Sequence, residues 1–164
     1  MRYITSIISA IVLAAVSLAD VSANSSTCKD ADAVTLQVLG SGGPIADDGR
    51  ASSGYLLWVD GKSRFLIDSG GGTFLRFGEA GGRFEDLSHI AISHFHTDHT
   101  SDLVALLKSG FFSERSESLS ISGPASGGSY PGLDKYLDSM LSENTGAYAY
   151  LAGYLDGSAG LVKL

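Results

Sequence analysis

Three imidazoles and one carboxylate fall within six consecutive residues, His94-Phe95-His96-Thr97-Asp98-His99, and this run holds three of the chain's four histidines. In extended backbone, side chains two residues apart point the same way, so His94 and His96 can grip one metal ion together. Asp98 and His99 face differently and can serve a second ion. Neutral imidazole nitrogens and carboxylate oxygens are the ligands Zn²⁺ takes at a catalytic site. Fe or Mn can occupy the same donors, because metal availability often decides loading. The ordinary alternative is a chance cluster or a polar surface patch. It fits poorly with a run that stands between a strand pattern and a helix pattern.

The elements that must position this run can be read on both sides of it. His89-Ile90-Ala91-Ile92-Ser93 is a short, mostly apolar strand that ends directly at His94. After the cluster, Thr100 can cap a helix in which Leu103, Leu106 and Leu107 share one face. Upstream, Val34, Leu36 and Val38 alternate with polar residues, the period of a half-buried strand. The glycine loop Gly40-Ser41-Gly42-Gly43-Pro44 stops it. Tyr55-Leu56-Leu57-Trp58-Val59 and Arg64-Phe65-Leu66-Ile67 form two further strands, joined through Asp60-Gly61, a strong two-residue hairpin signal. Their nearly continuous apolar character predicts a sheet covered on both faces. Asp68 ends the second of these strands, and Gly70-Gly71-Gly72 leads to a short helix over Thr73 to Phe77. Downstream, Leu119 to Ser122 reads as a short strand. Pro131 opens a helix carrying Leu133, Tyr136, Leu137, Met140 and Leu141 at helical spacing. Strands mixed with helices indicate an α/β layered fold.

On these residues the chain resembles a known superfamily. His94-x-His96-x-Asp98-His99 is similar to the metal-binding signature of the metallo-β-lactamase superfamily. Leu39-Gly40-Ser41-Gly42-Gly43-Pro44, Ser52-Ser53-Gly54-Tyr55-Leu56-Leu57 and Leu66-Ile67-Asp68-Ser69-Gly70 resemble its branch containing ribonuclease Z and the metal-dependent arylsulfatases. The resemblance runs from about Val34 to Pro124. It implies an αββα metallo-β-lactamase-like sandwich, with His94 and His96 on a first zinc and Asp98 and His99 on a second. A complete domain would then hold about two Zn²⁺ ions and use a metal-bound hydroxide as nucleophile, its water acidified by the cations. Asp98 takes a catalytic role by accepting a hydrogen bond from that hydroxide and aiming it. Asp68, at the tip of a neighbouring strand, orients the ligand loop from behind; the plainer alternative is a strand-end Asp before glycine. Enzymes of this kind complete the site with a further His, a bridging Asp and another His, whereas no histidine follows His99. An α/β domain of this class runs to roughly 200–250 residues. Leu161-Val162-Lys163-Leu164 reads like the start of a strand. The expectation is therefore a truncated chain: residues 34–164 as the first half of the domain, binding metal poorly by itself.

Composition sets limits on partners and compartment. The chain has 164 residues, 44% of them hydrophobic, and a formal net charge of −7. A chain this acidic lacks the basic footprint of proteins that coat phosphate backbones, and the expectation is a small-molecule ester substrate and no nucleic-acid partner. Residues 1–23 read as a signal peptide: Arg2, a mostly apolar run from Ile4 to Leu18, and Val21-Ser22-Ala23 at the cleavage position. The run is too short for a spanning helix, which needs about 20 apolar residues. A periplasmic or secreted protein with no membrane association after cleavage follows, and residues 24–33 read as a polar lead-in. The single Cys, Cys28, excludes an internal disulfide framework, and Ser25-Ser26-Thr27 before it lacks the usual lipoprotein pattern.

The expected activity is dizinc hydrolysis of a sulfate ester or phosphodiester. The alternative is a truncated, inactive remnant or binding module of the same fold, with lactam hydrolysis and RNA 3′-end processing ranked behind. His89 reads as structural, and Tyr148, Tyr150 and Tyr154 as packing residues rather than a lining for an aromatic leaving group. The loop Gly40 to Gly43 fits an anion cradle and a close backbone passage equally well. Oligomeric state leaves no mark in the sequence.

Overall fold

The computed structural model describes residues 34–158, 161, 163 and 164. Residues 1–33, on which the expected signal peptide, the expected polar lead-in and Cys28 fall, lie outside the described residues. Among the described residues no helix is long and apolar enough to cross a membrane.

Five strands form one sheet: β1 (Thr35–Gly40), β2 (Gly54–Val59), β3 (Lys62–Ile67), β4 (His89–Ala91) and β5 (Ser120–Ser122), in spatial order β1-β2-β3-β4-β5. The first three form an antiparallel meander, and β4 and β5 join in parallel. The β2–β3 turn carries Asp60 at φ 49° and Gly61 at φ 70°. Two successive left-handed residues give the type I′ geometry whose twist suits a hairpin. The parallel pairings require crossovers, supplied by α1 (Thr73–Glu79) before β4, and by α2 (Thr97–Thr100) and α3 (Leu103–Gly110) before β5. Helix α4 (Leu133–Leu141) and the single turn α5 (Gly153–Asp156) follow.

The core lies on one face of the sheet. Leu56, Trp58, Leu66 and Ile90 belong to one buried cluster with Phe77 of α1 and Leu103, Leu106 and Leu107 of α3. Each such side chain contributes roughly 1.5–3 kcal/mol by leaving water. The Trp58 indole N–H is satisfied by donating to Gln37 Oε1 at 2.8 Å. The opposite face is apolar and open to solvent. Leu36 and Val38 are 57% and 55% exposed, and Phe65 and Ile67 are exposed beside them. The register aligns Leu36, Leu57 and Phe65 in one row across the strands. Burial of both faces, expected from the continuous apolar runs, therefore extends to only one face among the described residues. An all-apolar strand such as β2 reads the same whether its second face is packed or waiting.

Two local expectations change. Thr100 closes the one-turn α2 rather than capping the longer helix; its Oγ1 donates to the His96 carbonyl at 3.1 Å. Asp102 precedes α3 instead. Residues 161, 163 and 164 have no strand conformation; the Leu164 N–H donates to the Tyr154 carbonyl at 2.8 Å.

Candidate metal-binding active site

Strand β4 lies between β3 and the edge strand β5 and delivers its chain into Ser93 and His94, which lie past its carboxyl end. The turn that carries the cluster is held by backbone bonds to the segment after β3. Ser69 N–H donates to the His99 carbonyl at 2.7 Å, and Asp102 N–H to the Ser69 carbonyl at 2.9 Å. Gly70 permits this approach: a Cβ there would lie 2.0 Å from the Asp98 carbonyl oxygen. A glycine is required because two backbones pass at contact distance.

His94, His96, Asp98 and His99 are brought together within this single turn. The ring centroids of His94 and His99 are 4.0 Å apart, and those of His94 and His96 are 4.7 Å apart. Asp98 Oδ2 lies 3.6 Å from His99 Nε2. Beneath them sits Asp68, 3% exposed. Its Oδ1 accepts from the Ser93 N–H at 2.7 Å. Its Oδ2 accepts from the Ser93 hydroxyl at 2.8 Å and meets His99 Nδ1 at 2.7 Å. Asp68 is held at φ 59°, a left-handed conformation uncommon outside glycine but tolerated by Asp. The backbone cost is offset by a carboxylate that accepts three hydrogen bonds from the loop it faces.

The donor set suits a divalent metal: three imidazoles and a carboxylate, with a buried carboxylate holding the rear nitrogen of one ring. Because Nδ1 of His99 is engaged by Asp68, its Nε2 is the nitrogen left to bind an ion, the usual arrangement behind a histidine ligand. Among the described residues, no three His, Cys, Asp or Glu side chains are arranged to hold one ion. His94 and His99 pack ring to ring instead, with their Nδ1 atoms 3.1 and 3.3 Å from Ser93 Oγ.

Ser93 was not singled out in the sequence, although its hydroxyl touches Asp68, His94 and His99. Its place directly between the strand and the first histidine was the available signal. Asp102 was likewise missed: its Oδ2 accepts from the Phe74 N–H at 3.0 Å and ties the first turn of α1 to the same loop. His89 stays on β4, bonded to Ser122 Oγ at 2.8 Å and away from the cluster. Tyr154 is buried, its hydroxyl donating to the Leu107 carbonyl at 2.7 Å. Burial pushes that hydroxyl up to about 12. Tyr148 and Tyr150 pack edge to face on each other, and none of the three lines the cavity beside the histidines.

Comparison with known proteins places these residues in context. A family model described as "Anti-Pycsar protein Apyc1" matches residues 34–127, which include the whole histidine turn. Ribonuclease Z of Haloferax volcanii is 34% identical over 106 residues, covering 63% of this chain and 30% of that protein. Ribonuclease Z of Picrophilus torridus is 38% identical over 86 residues, covering 52% of this chain and 28% of that protein. Among solved structures, the human tRNase Z short form aligns with a TM-score of 0.52 and 26% identity, over 62% of this chain and 37% of its own. The metallo-β-lactamase-fold protein YhfI of Bacillus subtilis aligns with a TM-score of 0.55 and 22% identity, over 71% of this chain and 44% of its own. This chain spans only about 30% of the length of the curated relatives it matches.

These relatives overturn one expectation. A small-molecule ester substrate with no nucleic-acid partner conflicts with matches to ribonuclease Z, a nuclease named for action on RNA. The inference from net charge failed for a physical reason. The charge criterion concerns surfaces that coat a phosphate backbone, whereas a catalytic site engages one phosphodiester locally. The charge of a chain spanning a fraction of its relatives also says little about their whole surface.

Proposed function

The chain belongs to the family described as Anti-Pycsar protein Apyc1, of metallo-β-lactamase fold and with ribonuclease Z relatives, and on that premise we propose that it carries metal-binding residues of a hydrolase that cleaves RNA phosphodiesters. The observation that carries this reading is the coincidence of the matched segment with the turn where His94, His96, Asp98 and His99 meet above Asp68. RNA 3′-end processing fits the relatives better than sulfate-ester cleavage, since none of the relatives named above is a sulfatase.

His94 and His96 would hold one ion, and Asp98 and His99 a second, with zinc the metal best matched to this donor set. When bound, such ions acidify water and neutralise charge on the phosphodiester oxygens. The chain's own groups do the positioning. Asp68 keeps the proton of His99 on Nδ1 and so presents Nε2 as a lone pair. Ser93 ties Asp68 to the backbone of the turn. The Asp98 carboxylate can accept a hydrogen bond from an attacking water and hold its orientation.

A labelled tRNA precursor with a 3′ extension, incubated with the full-length protein and Zn²⁺ or Mn²⁺, tests this directly. Cleavage is expected, and it should disappear both with a chelator and in His96→Ala. Absence of cleavage by the metal-loaded protein, or unchanged cleavage by His96→Ala, would overturn the reading.

A further inference from the structure

We propose that the cavity beside His94 and His96 is a subsite that seats a nucleobase flanking the scissile phosphodiester; the inference rests on the RNA-cleavage reading above. The cavity has a volume of about 630 Å³ and a predominantly apolar lining. That size falls within the roughly 300–1,000 Å³ of ordinary small-molecule sites. His94 and His96 form part of its wall, so whatever occupies it lies next to the metal-donor cluster.

The rest of the wall is uncharged, and three of its side chains, Phe95, Tyr130 and Tyr136, are aromatic. Phe95, from the histidine turn itself, stacks on Tyr136 of α4 with ring centroids 4.4 Å apart and planes inclined by 13°. Tyr130 and Pro131 complete that side, and Tyr130 stands 77% exposed. Burial raises the Tyr136 hydroxyl above its ordinary value. No Lys, Arg, Asp or Glu is among the residues lining the cavity. A phosphate would find no lysine or arginine there, and the flat rings offer a stacking surface. A planar, uncharged heterocycle attached to a phosphodiester matches both features: its rings stack on aromatics, while its phosphate reaches the histidines. Base–aromatic stacking tolerates any base, because every base has a π-face. The subsite should therefore demand a base without selecting one.

Saturation-transfer NMR on the full-length protein tests this, with adenosine 5′-monophosphate, uridine 5′-monophosphate and ribose 5-phosphate as probes. Both nucleotides should bind, with the strongest transfer to base protons, and ribose 5-phosphate should bind at least about fivefold more weakly. Tyr130→Ala, at an exposed position where folding is not at stake, should weaken nucleotide binding by about fivefold or more. Tyr136→Leu should do the same, and Tyr136→Phe should retain binding. Equal binding of all three probes, or wild-type base contacts in both Tyr130→Ala and Tyr136→Leu, would overturn the subsite even if the tRNA precursor is cleaved. Base contacts that vanish in these variants would support it even if that precursor is not cleaved.

Discussion

Replacing Asp68 by Asn separates what the buried carboxylate does for the fold from what it does for the donors. Asn tolerates the left-handed φ of 59° as well as Asp does, so the backbone cost is unchanged. The carboxylate now accepts at 2.7 Å from Ser93 N–H, at 2.8 Å from Ser93 Oγ and at 2.7 Å from His99 Nδ1. An amide has one oxygen. It can keep the Ser93 N–H, and its NH₂ then faces the hydroxyl and the imidazole. Bonds to a charged group contribute about 1.5–3 kcal/mol against 0.5–1.5 for neutral ones, so the exchange should cost about 2–3 kcal/mol of stability. The larger effect is on the ring. His99 Nδ1 must become an acceptor from the amide, which moves its proton to Nε2 and removes the lone pair meant for the metal. Loss of such a partner typically weakens metal binding by 10–100-fold. Competition of Zn²⁺ against a chromogenic chelator, alongside urea unfolding, reads both quantities on the same sample. Lower stability with metal affinity unchanged within twofold would show that Asp68 only braces the turn, and would refute this reasoning.

Gly70→Ala should destabilise the protein by about 1–3 kcal/mol in urea unfolding, because its Cβ would press on the Asp98 carbonyl oxygen at 2.0 Å. Tyr154, with its hydroxyl raised from 10.0 to about 12, is protonated in the folded state where the unfolded chain has already ionised. Its contribution is thus whole below pH 10 and lost as pH climbs toward 12, about 2–3 kcal/mol in all. Unfolding measured across that range should show the loss in the wild type and a shallower one in Tyr154→Phe. In an exporting host, N-terminal sequencing of the extracted protein should begin at Asn24; retention of residues 1–23 on an exported protein would remove the signal-peptide reading.

Much of the fold was legible because local chemistry and tertiary position agree. The Asp60-Gly61 turn announced its hairpin, since φ is positive at both residues. The alternation of Leu36 and Val38 with polar neighbours announced the strand β1 but not its orientation, since these apolar residues lie on the open face. The histidine turn was legible as a cluster, and the strand before it as the ledge. Less accessible were the features set by encounters distant in sequence. Ser93 looks like any serine until Asp68, 25 positions earlier, arrives against it. Asp102 reads as a surface acid until α1 brings Phe74 N–H to its carboxylate. The nucleic-acid relationship was obscured because net charge sums a whole chain, while recognition of one phosphodiester depends on a few groups. The open face of β1 to β3 escaped too, because apolar residues on a strand do not declare whether their partner is present.

If the side chains gathered from His94 to His99 exist to hold divalent cations, zinc binding must depend on them. Isothermal titration of Zn²⁺ into the purified full-length protein, beside its His94→Ala/His96→Ala double variant, decides the matter. Saturable binding in the wild type that collapses in the double variant is predicted. Identical titration curves for the two proteins would contradict the account.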